Sequence, residues 1–315
     1  MTITQLNYVL AVAEYKNFTK AAEKSFVTQP TLSMQIQKLE EELDIVIFDR
    51  KSKPLKLTDI GQKIITQAKK IVAEAGRMQD IVEQQKGFIG GEFKLGIIPT
   101  VAPALLPMFL KNFGKKYPRI QLAIEEINTQ EIIQKLESGQ LDAAIAATPL
   151  ENKHLKERVL YYEPFVGYIP VQHRLFLKKE IEVTDLDLQD ILLLEDGHCF
   201  RDGVMNLCKN KNSSLGSEGF KIRSGSFETL IKLANEGLGM TLLPYLHTLE
   251  MNENEKKQLR YFKEPSPARE ISLIQHKNLL KEHIVSALYD VIAGVVKGAI
   301  VFQDVKIISP LQNRH

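Results

Sequence analysis

The chain has 315 residues, 44% of them hydrophobic and 25% charged, with a net charge of +2. This composition is typical of an ordinary globular protein with room for two or three domains. The small net charge gives no global signal for binding to nucleic acid or membrane, and no apolar run reaches the roughly 18 residues of a membrane helix. The N-terminus has no basic start and carries Glu14 in its apolar stretch. We therefore expect no signal peptide and a cytoplasmic protein.

The chain contains two cysteines, Cys199 and Cys208, both in the segment LEDGHCFRDGVMNLC. Cytoplasmic thiols are normally kept reduced, so a disulfide in this compartment is more often transient than structural. Two cysteines without a Cys-x-x-Cys spacing do not make a structural zinc site unless histidines complete it. We therefore expect neither a metal nor a cofactor.

Residues 1–57 predict three short helices with tight connections. The first helix is predicted by five apolar residues at helical spacing, Leu6, Val9, Leu10, Val12 and Ala13. Asn17 or Thr19 can begin the second helix, and Thr28 can cap a third whose first turn holds Pro30. The third helix has an apolar face made by Leu32, Ile36, Leu39 and Leu43, and an opposite polar face made by Thr31, Ser33, Gln35, Gln37 and Lys38.

Two short helices joined by a tight turn are typical of a helix-turn-helix, whose second helix reads base edges in the major groove. The stretch VIFDRKSKPLKLT then predicts a β-hairpin wing with basic residues near the phosphates. The candidate DNA contacts are Gln29, Pro30, Thr31, Ser33, Gln37, Arg50 and Lys53. On periodicity alone, a helical subdomain with a solvated polar face is an equal alternative.

Residues 58–90 predict a linker helix that begins after Thr58. Its apolar residues alternate in steps of four and three, at Ile60, Ile64, Ala68, Ile71, Ala75, Met78 and Val82. That rhythm is typical of a two-helix coiled coil, so we favour a dimerisation helix over a helix packed on its own domain. Glycines at 87, 90 and 91 end it in a flexible joint.

Residues 91–300 alternate short apolar runs with helical stretches, which predicts an α/β domain with largely parallel sheets and two lobes around a cleft. Ligands in such folds lie at the carboxyl ends of strands, beside helix N-termini. Thr100, Thr129 and the segment 224–226 follow strands in this way. Each is most simply a helix cap, and each can also bind a small polar ligand. Residues 301–315 predict a C-terminal tail, either loose or used for interaction.

The stretch NFTKAAEKSFVTQPTLSMQIQKLEEELDIVIFDR resembles the DNA-binding domain of LysR-type transcriptional regulators. The resemblance covers about residues 1–300. It implies a winged helix-turn-helix, a dimerising linker helix and a two-lobed α/β regulatory domain of the periplasmic-binding-protein type. It further implies that the chain binds double-stranded DNA and is not an enzyme. Met34 departs from the family, in which a small residue is common at this position.

Within that family, LEDGHCFRDGVMNLC is similar to the sensing segment of peroxide-responsive activators. IPT at 98–100, NTQEI around Thr129, LESGQLD at 136–142 and SFETL at 226–230 also match. The resemblance implies a redox-active pair in which Cys199 is peroxidatic and Cys208 resolving. It implies a peroxide pocket shaped or supported by Thr100, Thr129, His198, Arg201 and Asp202.

The same resemblance implies several partners. Hydrogen peroxide would be the effector, and RNA polymerase would be recruited to oxidative-stress defence genes. The assembly would be a homotetramer built as a dimer of dimers. A thiol reductant such as glutaredoxin or thioredoxin would reset the switch.

The spacing of the two cysteines has a physical consequence. A disulfide needs Cα atoms about 4.4–6.8 Å apart, whereas nine residues of helix separate them by about 13–14 Å. If residues 200–208 are helical in the reduced protein, bridge formation must unwind them, and the polar run at 209–214 suggests a weakly packed segment. We expect Arg201, His198 and a helix N-terminus to lower the pKa of the Cys199 thiol.

Three alternatives stay open. A LysR-type regulator can instead respond to a metabolite bound in the cleft between the lobes. A thiol peroxidase would also use two cysteines, although the N-terminal segment has no place in such an enzyme. Two buried cysteines can also be unremarkable packing residues.

Overall fold

The computed structural model describes residues 1–52, 54–85, 91–195, 197, 199–208, 224–300 and 305–310. They form an N-terminal compact unit over residues 1–88 and a second unit over most of residues 89–315. Within these ranges, no helix combines the length and apolar character needed to cross a membrane. The predictions at Lys53, His198, Gly87 and Gly90 and for residues 209–214 lie outside the described residues.

The N-terminal unit has the predicted helix-turn-helix, wing and long helix. Its elements are α1 (Ile3–Tyr15), α2 (Phe18–Lys24), α3 (Gln29–Leu43), β1 (Phe48–Asp49), β2 (Lys56–Leu57) and α4 (Asp59–Gln85). The side chains of Asn17, Thr28 and Thr58 each accept a hydrogen bond from the main-chain N–H three residues later, at 3.0, 3.4 and 2.9 Å. These bonds satisfy N–H groups that a helix leaves unpaired at its start, so the predicted caps are confirmed. The two wing strands pair antiparallel.

The core of this unit explains where α3 and α4 lie. The buried residues at its centre are Leu6, Val9, Val12, Ala21, Ala22, Leu32, Ile36, Leu39, Ile47, Phe48, Ile65 and Ala68. The first turns of α4 therefore complete this core, while Ile60 and Met78 of the predicted heptad stripe are 42% and 70% exposed. Dimerisation through that stripe stays a prediction.

The second unit alternates strands and helices as predicted. Its elements are β3 (Gly91–Ile97), α5 (Ala102–Lys116), β4 (Ile120–Glu126), α6 (Thr129–Glu137), β5 (Ala143–Thr148), β6 (Leu155–Tyr168), β7 (Glu180–Ile181), a 3-10 turn (Val183–Asp185), β8 (Ile191–Leu192), α7 (Cys199–Leu207), α8 (Phe227–Asn235), β9 (Met240–Pro244), α9 (Tyr245–Thr248), α10 (Glu253–Lys256), β10 (Leu259–Phe262), β11 (Ser266–His276), α11 (Glu282–Lys297) and β12 (Val305–Ile307). The tail is therefore not wholly loose, because β12 pairs parallel with β11.

The sheet order is β4-β3-β5-β11-β6-β10-β7, with β9 and β12 also pairing to the long strands. β3 lies parallel to β4 and β5, but β11 is antiparallel to β5 and β6, and β6 is antiparallel to β9 and β10. The pairs β7–β10, β8–β9 and β11–β12 are parallel as well, so the sheet is mixed and the expectation of largely parallel sheets is met only in part. Every antiparallel pair among the described strands of this sheet includes β6 or β11, of 14 and 11 residues.

Two separate hydrophobic cores confirm the two lobes. Lobe 1 is the cluster around β3, β4, β5, α5 and α11, with Phe93, Leu95, Phe109, Ile145, Leu273 and Leu288 among its buried residues. Lobe 2 is the cluster around β9, α7 and α8, with Phe165, Tyr168, Phe200, Val204, Cys208, Phe227 and Leu242 among them. β6 contributes buried residues to both cores. β11 contributes to the core of lobe 1 and pairs with β6, so the two strands connect the lobes.

Candidate functional site

Helix α7 positions both cysteines. Cys199 is its first residue, and Cys208 directly follows its last residue. The Cys208 N–H donates to the carbonyls of Val204 and Met205 at 3.2 Å each, which continues the helical turn. Neither cysteine forms a disulfide. The helix therefore keeps their Cα atoms about 13–14 Å apart, too far for a disulfide.

The two ends of α7 lie in different surroundings. Cys199 is partly buried and packs against the core of lobe 1. Its sulfur lies 2.8 Å from the hydroxyl oxygen of Thr129, the first residue of α6, and either atom can donate. Cys208 is 5% exposed and belongs to the core of lobe 2. One thiol thus has a polar partner at the edge of a core, and the other is held inside a core.

A buried ion pair lies close to the Cys199 end. Arg269 on β11 and Glu163 on β6 are 3% and 2% exposed, and two guanidinium nitrogens of Arg269 lie 2.7 and 2.9 Å from one Glu163 oxygen. Arg269 also donates to the hydroxyl and carbonyl oxygens of Thr100, at 2.8 and 3.0 Å. Its guanidinium carbon lies 5.0 Å from the centre of the Phe200 ring, so the network reaches the first turn of α7.

Burial raises the pKa of the Cys199 thiol above its ordinary value, and the negative charge of Asp202 raises it further. The hydrogen bond with Thr129 and the charge of Arg269 lower it, but they do not outweigh desolvation. The predicted lowering of this pKa is therefore wrong. Arg201 donates to the carbonyl of Leu194 at 2.9 Å, and a cation that lowers the pKa of the thiol is Arg269, 70 residues away in the chain.

Sequence reasoning missed Arg269 and Glu163. Their pairing joins two strands across 106 residues of chain, and the sequence around each residue does not indicate its partner. The available signal was a charged residue inside a strand that is otherwise buried, because such a charge requires a partner. For metals, no cluster of three or more His, Cys, Asp or Glu side chains occurs among the described residues.

The candidate DNA contacts lie at the start of α3 and beside the wing. Gln29, Pro30, Thr31 and Gln37 are exposed, and Ser33 is partly buried. Gln35, which the sequence places among the polar residues of α3, accepts a hydrogen bond from the buried Gln5 amide at 3.3 Å.

Arg50 is anchored beside α3 by three contacts. It lies 2.9 Å from a carboxylate oxygen of Glu40, donates to the Ser33 hydroxyl at 3.4 Å and stacks on the Phe18 ring at 5.2 Å. Glu40 in turn accepts hydrogen bonds from the main-chain N–H groups of Ile47 and Phe48 at 2.7 and 3.3 Å. Glu40 thus fixes the start of the wing to α3, and Arg50 is held where both meet.

Residues 3–62 match the model of the bacterial regulatory helix-turn-helix protein, lysR family, and residues 86–297 match that of the LysR substrate binding domain. The chain belongs to the LysR family of bacterial transcriptional regulators. The DNA-binding helices and the two-lobed domain described above are thus the two characteristic parts of a LysR-family protein.

Within the LysR family, the chain is similar to OxyR proteins. The hydrogen peroxide-inducible genes activator of Pectobacterium carotovorum subsp. carotovorum is 34% identical, over 87% of this chain and 90% of that protein. A full-length OxyR variant from Pseudomonas aeruginosa matches with a TM-score of 0.75 and 31% identity, over 93% of this chain and 98% of that one. An H2O2-bound OxyR mutant from Corynebacterium glutamicum matches with a TM-score of 0.64 and 27% identity, over 97% and 98%.

The predicted pocket residues of this LysR-family chain are only partly brought together. Thr129 contacts Cys199, and Asp202 acts on the thiol from the first turn of α7. Thr100 is 7% exposed and reaches the site through Arg269. Arg201 bonds to the Leu194 carbonyl, as described above. In the third candidate junction, Ser226 is the N-cap of α8 but makes no side-chain cap bond.

Proposed function

We propose that this chain is a hydrogen peroxide-sensing transcription regulator, switched by a reversible disulfide between Cys199 and Cys208. The observation that carries the proposal is the Cys199 thiol itself. It is free, partly buried, 2.8 Å from the Thr129 hydroxyl and under the charge of the buried Arg269. The similarity to hydrogen peroxide-inducible genes activators, and to an OxyR that binds H2O2, supports it.

The proposed chemistry balances with one peroxide and two thiols. The Cys199 thiolate attacks one oxygen of H2O2, so that an S–O bond forms, the O–O bond breaks and the leaving oxygen is protonated to water. The Cys208 thiolate then attacks the Cys199 sulfur and expels the sulfenic oxygen as a second water. Two electrons pass from the thiols to H2O2. A thiol reductant such as glutaredoxin or thioredoxin returns them and restores both thiols.

The pocket residues are proposed to hold the peroxide rather than to activate the thiol by charge alone. Hydrogen-bond donors aimed at the leaving oxygen stabilise the charge that develops on it. Thr129 and Thr100 are the proposed hydroxyl donors, with His198 completing the pocket. Arg201 and Asp202 are proposed to support the start of α7. Because burial raises the pKa of Cys199, we propose that such donors, rather than a permanently ionised thiol, promote the attack on peroxide.

Disulfide formation is proposed to transmit the signal by refolding α7. Closing a ten-residue loop contributes about 2–3 kcal/mol in the chain-entropy model, which is enough to shift a locally bistable segment. The refolded segment would change how the domains 1–57, 58–90 and 91–300 assemble as a dimer of dimers on double-stranded DNA. The oxidised protein would then recruit RNA polymerase to oxidative-stress defence genes.

Intact-mass measurement on the purified full chain tests the proposal. After micromolar peroxide, the wild type should lose two hydrogen atoms and Cys208→Ser should gain one oxygen. Cys199→Ser should keep its mass and serves as the matched control. A footprint on DNA should change with peroxide only for the wild type. Two free thiols in the treated wild type would exclude the redox switch.

A metabolite-responsive regulator is the second candidate. The observation that favours it is the match of residues 86–297 to a domain model named for substrate binding, which requires no cysteine. Thiol titration separates the two candidates, because a metabolite would change the DNA footprint while both thiols stay free. A thiol peroxidase would turn over many peroxides with reductant, and we propose one oxidation per chain without such turnover.

A further inference from the structure

An exposed aromatic side chain lies in the turn between α2 and α3. Phe26 is 96% exposed and has φ 55°. Its N–H donates to the Glu23 carbonyl at 3.2 Å, and the Val27 N–H donates to the Ala22 carbonyl at 3.0 Å. These two hydrogen bonds form the Schellman motif that ends many helices, and the motif requires a left-handed backbone conformation at Phe26.

Phenylalanine is an unfavourable residue for this position on two counts. The left-handed conformation brings a Cβ atom close to the following carbonyl, so glycine or asparagine usually occupies it. Large apolar side chains are usually buried, and Phe26 gains almost no burial inside the unit. A strained residue that contributes nothing to the core indicates a function outside it.

The position of Phe26 in the chain indicates which molecule its side chain can contact. It lies two residues before the Thr28 cap and three before Gln29, the first residue of α3. In a helix-turn-helix, the start of the second helix enters the major groove while the first helix crosses the backbone. The turn that joins them therefore approaches the duplex at the edge of the groove, next to the DNA interface of the LysR family.

We propose that Phe26 packs on the DNA duplex at this edge, against a deoxyribose or a thymine methyl group, and supplies an apolar contact beside the polar contacts of α3. The proposal rests on the DNA binding of the family and is independent of the cysteines. It predicts opposite effects of a glycine substitution on folding and on binding, because glycine removes both the Cβ atom that strains the backbone and the ring that makes the contact.

The test uses the full chain and a duplex that the wild type selects from a random pool. Phe26→Gly should bind this duplex about tenfold more weakly, while its N-terminal unit melts at a higher temperature. Phe26→Tyr keeps the ring and should keep the affinity. The salt dependence should stay as in the wild type, because no phosphate contact is lost. Asp44→Gly relieves a left-handed residue (φ 54°) at the other end of α3 and should not weaken binding.

Three results would overturn this proposal. One is an unchanged affinity of Phe26→Gly for the duplex, and another is equal weakening by Asp44→Gly. A third is a change in self-association without a change in DNA affinity, which would assign Phe26 to a protein contact. Failure of the wild type to select any duplex would instead overturn DNA binding itself.

A different observation concerns the C-terminal segment. β12 pairs with β11 through the register Ser266 with Val305 and Ala268 with Ile307, and the next N–H, of Ile308, donates to the Ala268 carbonyl at 2.7 Å. The match to the substrate binding domain ends at residue 297. The segment 305–310, here called the strap, therefore lies beyond the part of the chain shared with that domain model.

The strap contacts the helix that carries the cysteines. The Asn206 amide of α7 donates to the Ser309 carbonyl at 2.9 Å, and Ile308 packs against the core of lobe 2 that includes Cys208. We infer that oxidation releases the strap from β11. This rests on the proposed disulfide, since unwinding α7 displaces Asn206 and removes Cys208 from the surface on which Ile308 packs.

Hydrogen exchange of the full chain tests this release. After peroxide, amide exchange in 305–310 should rise at least about tenfold in the wild type and stay unchanged in Cys208→Ser. Asn206→Ala should raise it without peroxide, because the hydrogen bond to the Ser309 carbonyl is lost. If mass measurement finds the disulfide and the exchange does not change, the strap release is wrong and the proposed function stands. If no disulfide forms, both are wrong.

Discussion

The two ends of α7 differ in what holds them. At the Cys199 end, a hydroxyl from α6 contacts the sulfur, and a buried arginine from β11 acts on the thiol by its charge and lies over the Phe200 ring. At the other end, Cys208 is enclosed by the apolar core of lobe 2. The first end offers a thiol with a polar partner, and the second end offers packing. The comparison teaches that the proposed disulfide would require Cys208 to leave a core, so packing would set how readily the proposed switch operates.

The largest expected effect concerns the ion pair at the first end. Arg269→Met leaves the Glu163 carboxylate buried without its cation, and breaking such a pair destabilises by about 3–5 kcal/mol. Chemical denaturation should show this loss. The double variant Arg269→Met, Glu163→Gln should recover much of it, because the uncompensated charge is gone. Equal stability of the single and double variants would contradict the assignment of the pair as a buried salt bridge.

This pair also marks the boundary of what the sequence could predict. Helices, caps and the wing of residues 1–57 follow local rules, and Asn17, Thr28 and Thr58 act as the sequence predicted. The antiparallel course of β6 and β11 and the pairing of Arg269 with Glu163 depend on residues about 100 positions apart. Neither periodicity nor spacing carries that information.

The candidate site divides in the same way. The family resemblance selected Cys199 and Thr129, which the fold brings within 2.8 Å. Of the charges near in sequence, Asp202 acts on the thiol and raises its pKa, whereas Arg201 donates to the Leu194 carbonyl. A helix directs neighbouring residues to different faces, so adjacency in the chain does not place a charge beside a sulfur.

The second effect concerns the packed end. Leu207 is 9% exposed in the core of lobe 2, and Leu207→Ala should destabilise the protein by about 2–3 kcal/mol. Because this loosens the end of α7, the step from sulfenic acid to disulfide should become faster, which stopped-flow mass measurement follows. A slower step would show that core packing positions Cys208 for attack rather than restraining it.

The third effect concerns the pH dependence of the first end. Burial raises the pKa of Cys199. Its thiolate fraction should therefore rise about tenfold per pH unit and level off at a higher pH than that of a free cysteine, whose pKa is about 8.5. Iodoacetamide alkylation of Cys208→Ser from pH 6 to pH 10, folded and in urea, measures this. The folded thiol should react more slowly than the unfolded one at pH 8. If the alkylation rate of the folded thiol levelled off at a lower pH than that of the unfolded thiol, this would contradict the desolvated site.

The smallest effect isolates the hydroxyl at the first end. Thr129→Val keeps the shape of the side chain and removes one hydrogen bond to sulfur, worth about 1 kcal/mol or a factor of five. Because that bond lowers the pKa of Cys199, its loss should raise the pKa and slow alkylation at pH 8 by about this factor. Thr129→Ser keeps a hydroxyl and is the matched control.

Peroxide separates the two roles of this hydroxyl. If Thr129 also holds the leaving oxygen, Thr129→Val should slow oxidation by H2O2 more than it slows alkylation, which needs no such donor. Equal slowing by both reagents would restrict Thr129 to tuning the thiol. The ratio of the oxidation rate to the alkylation rate therefore measures how far the Cys199 end binds peroxide rather than only adjusting the pKa of the thiol.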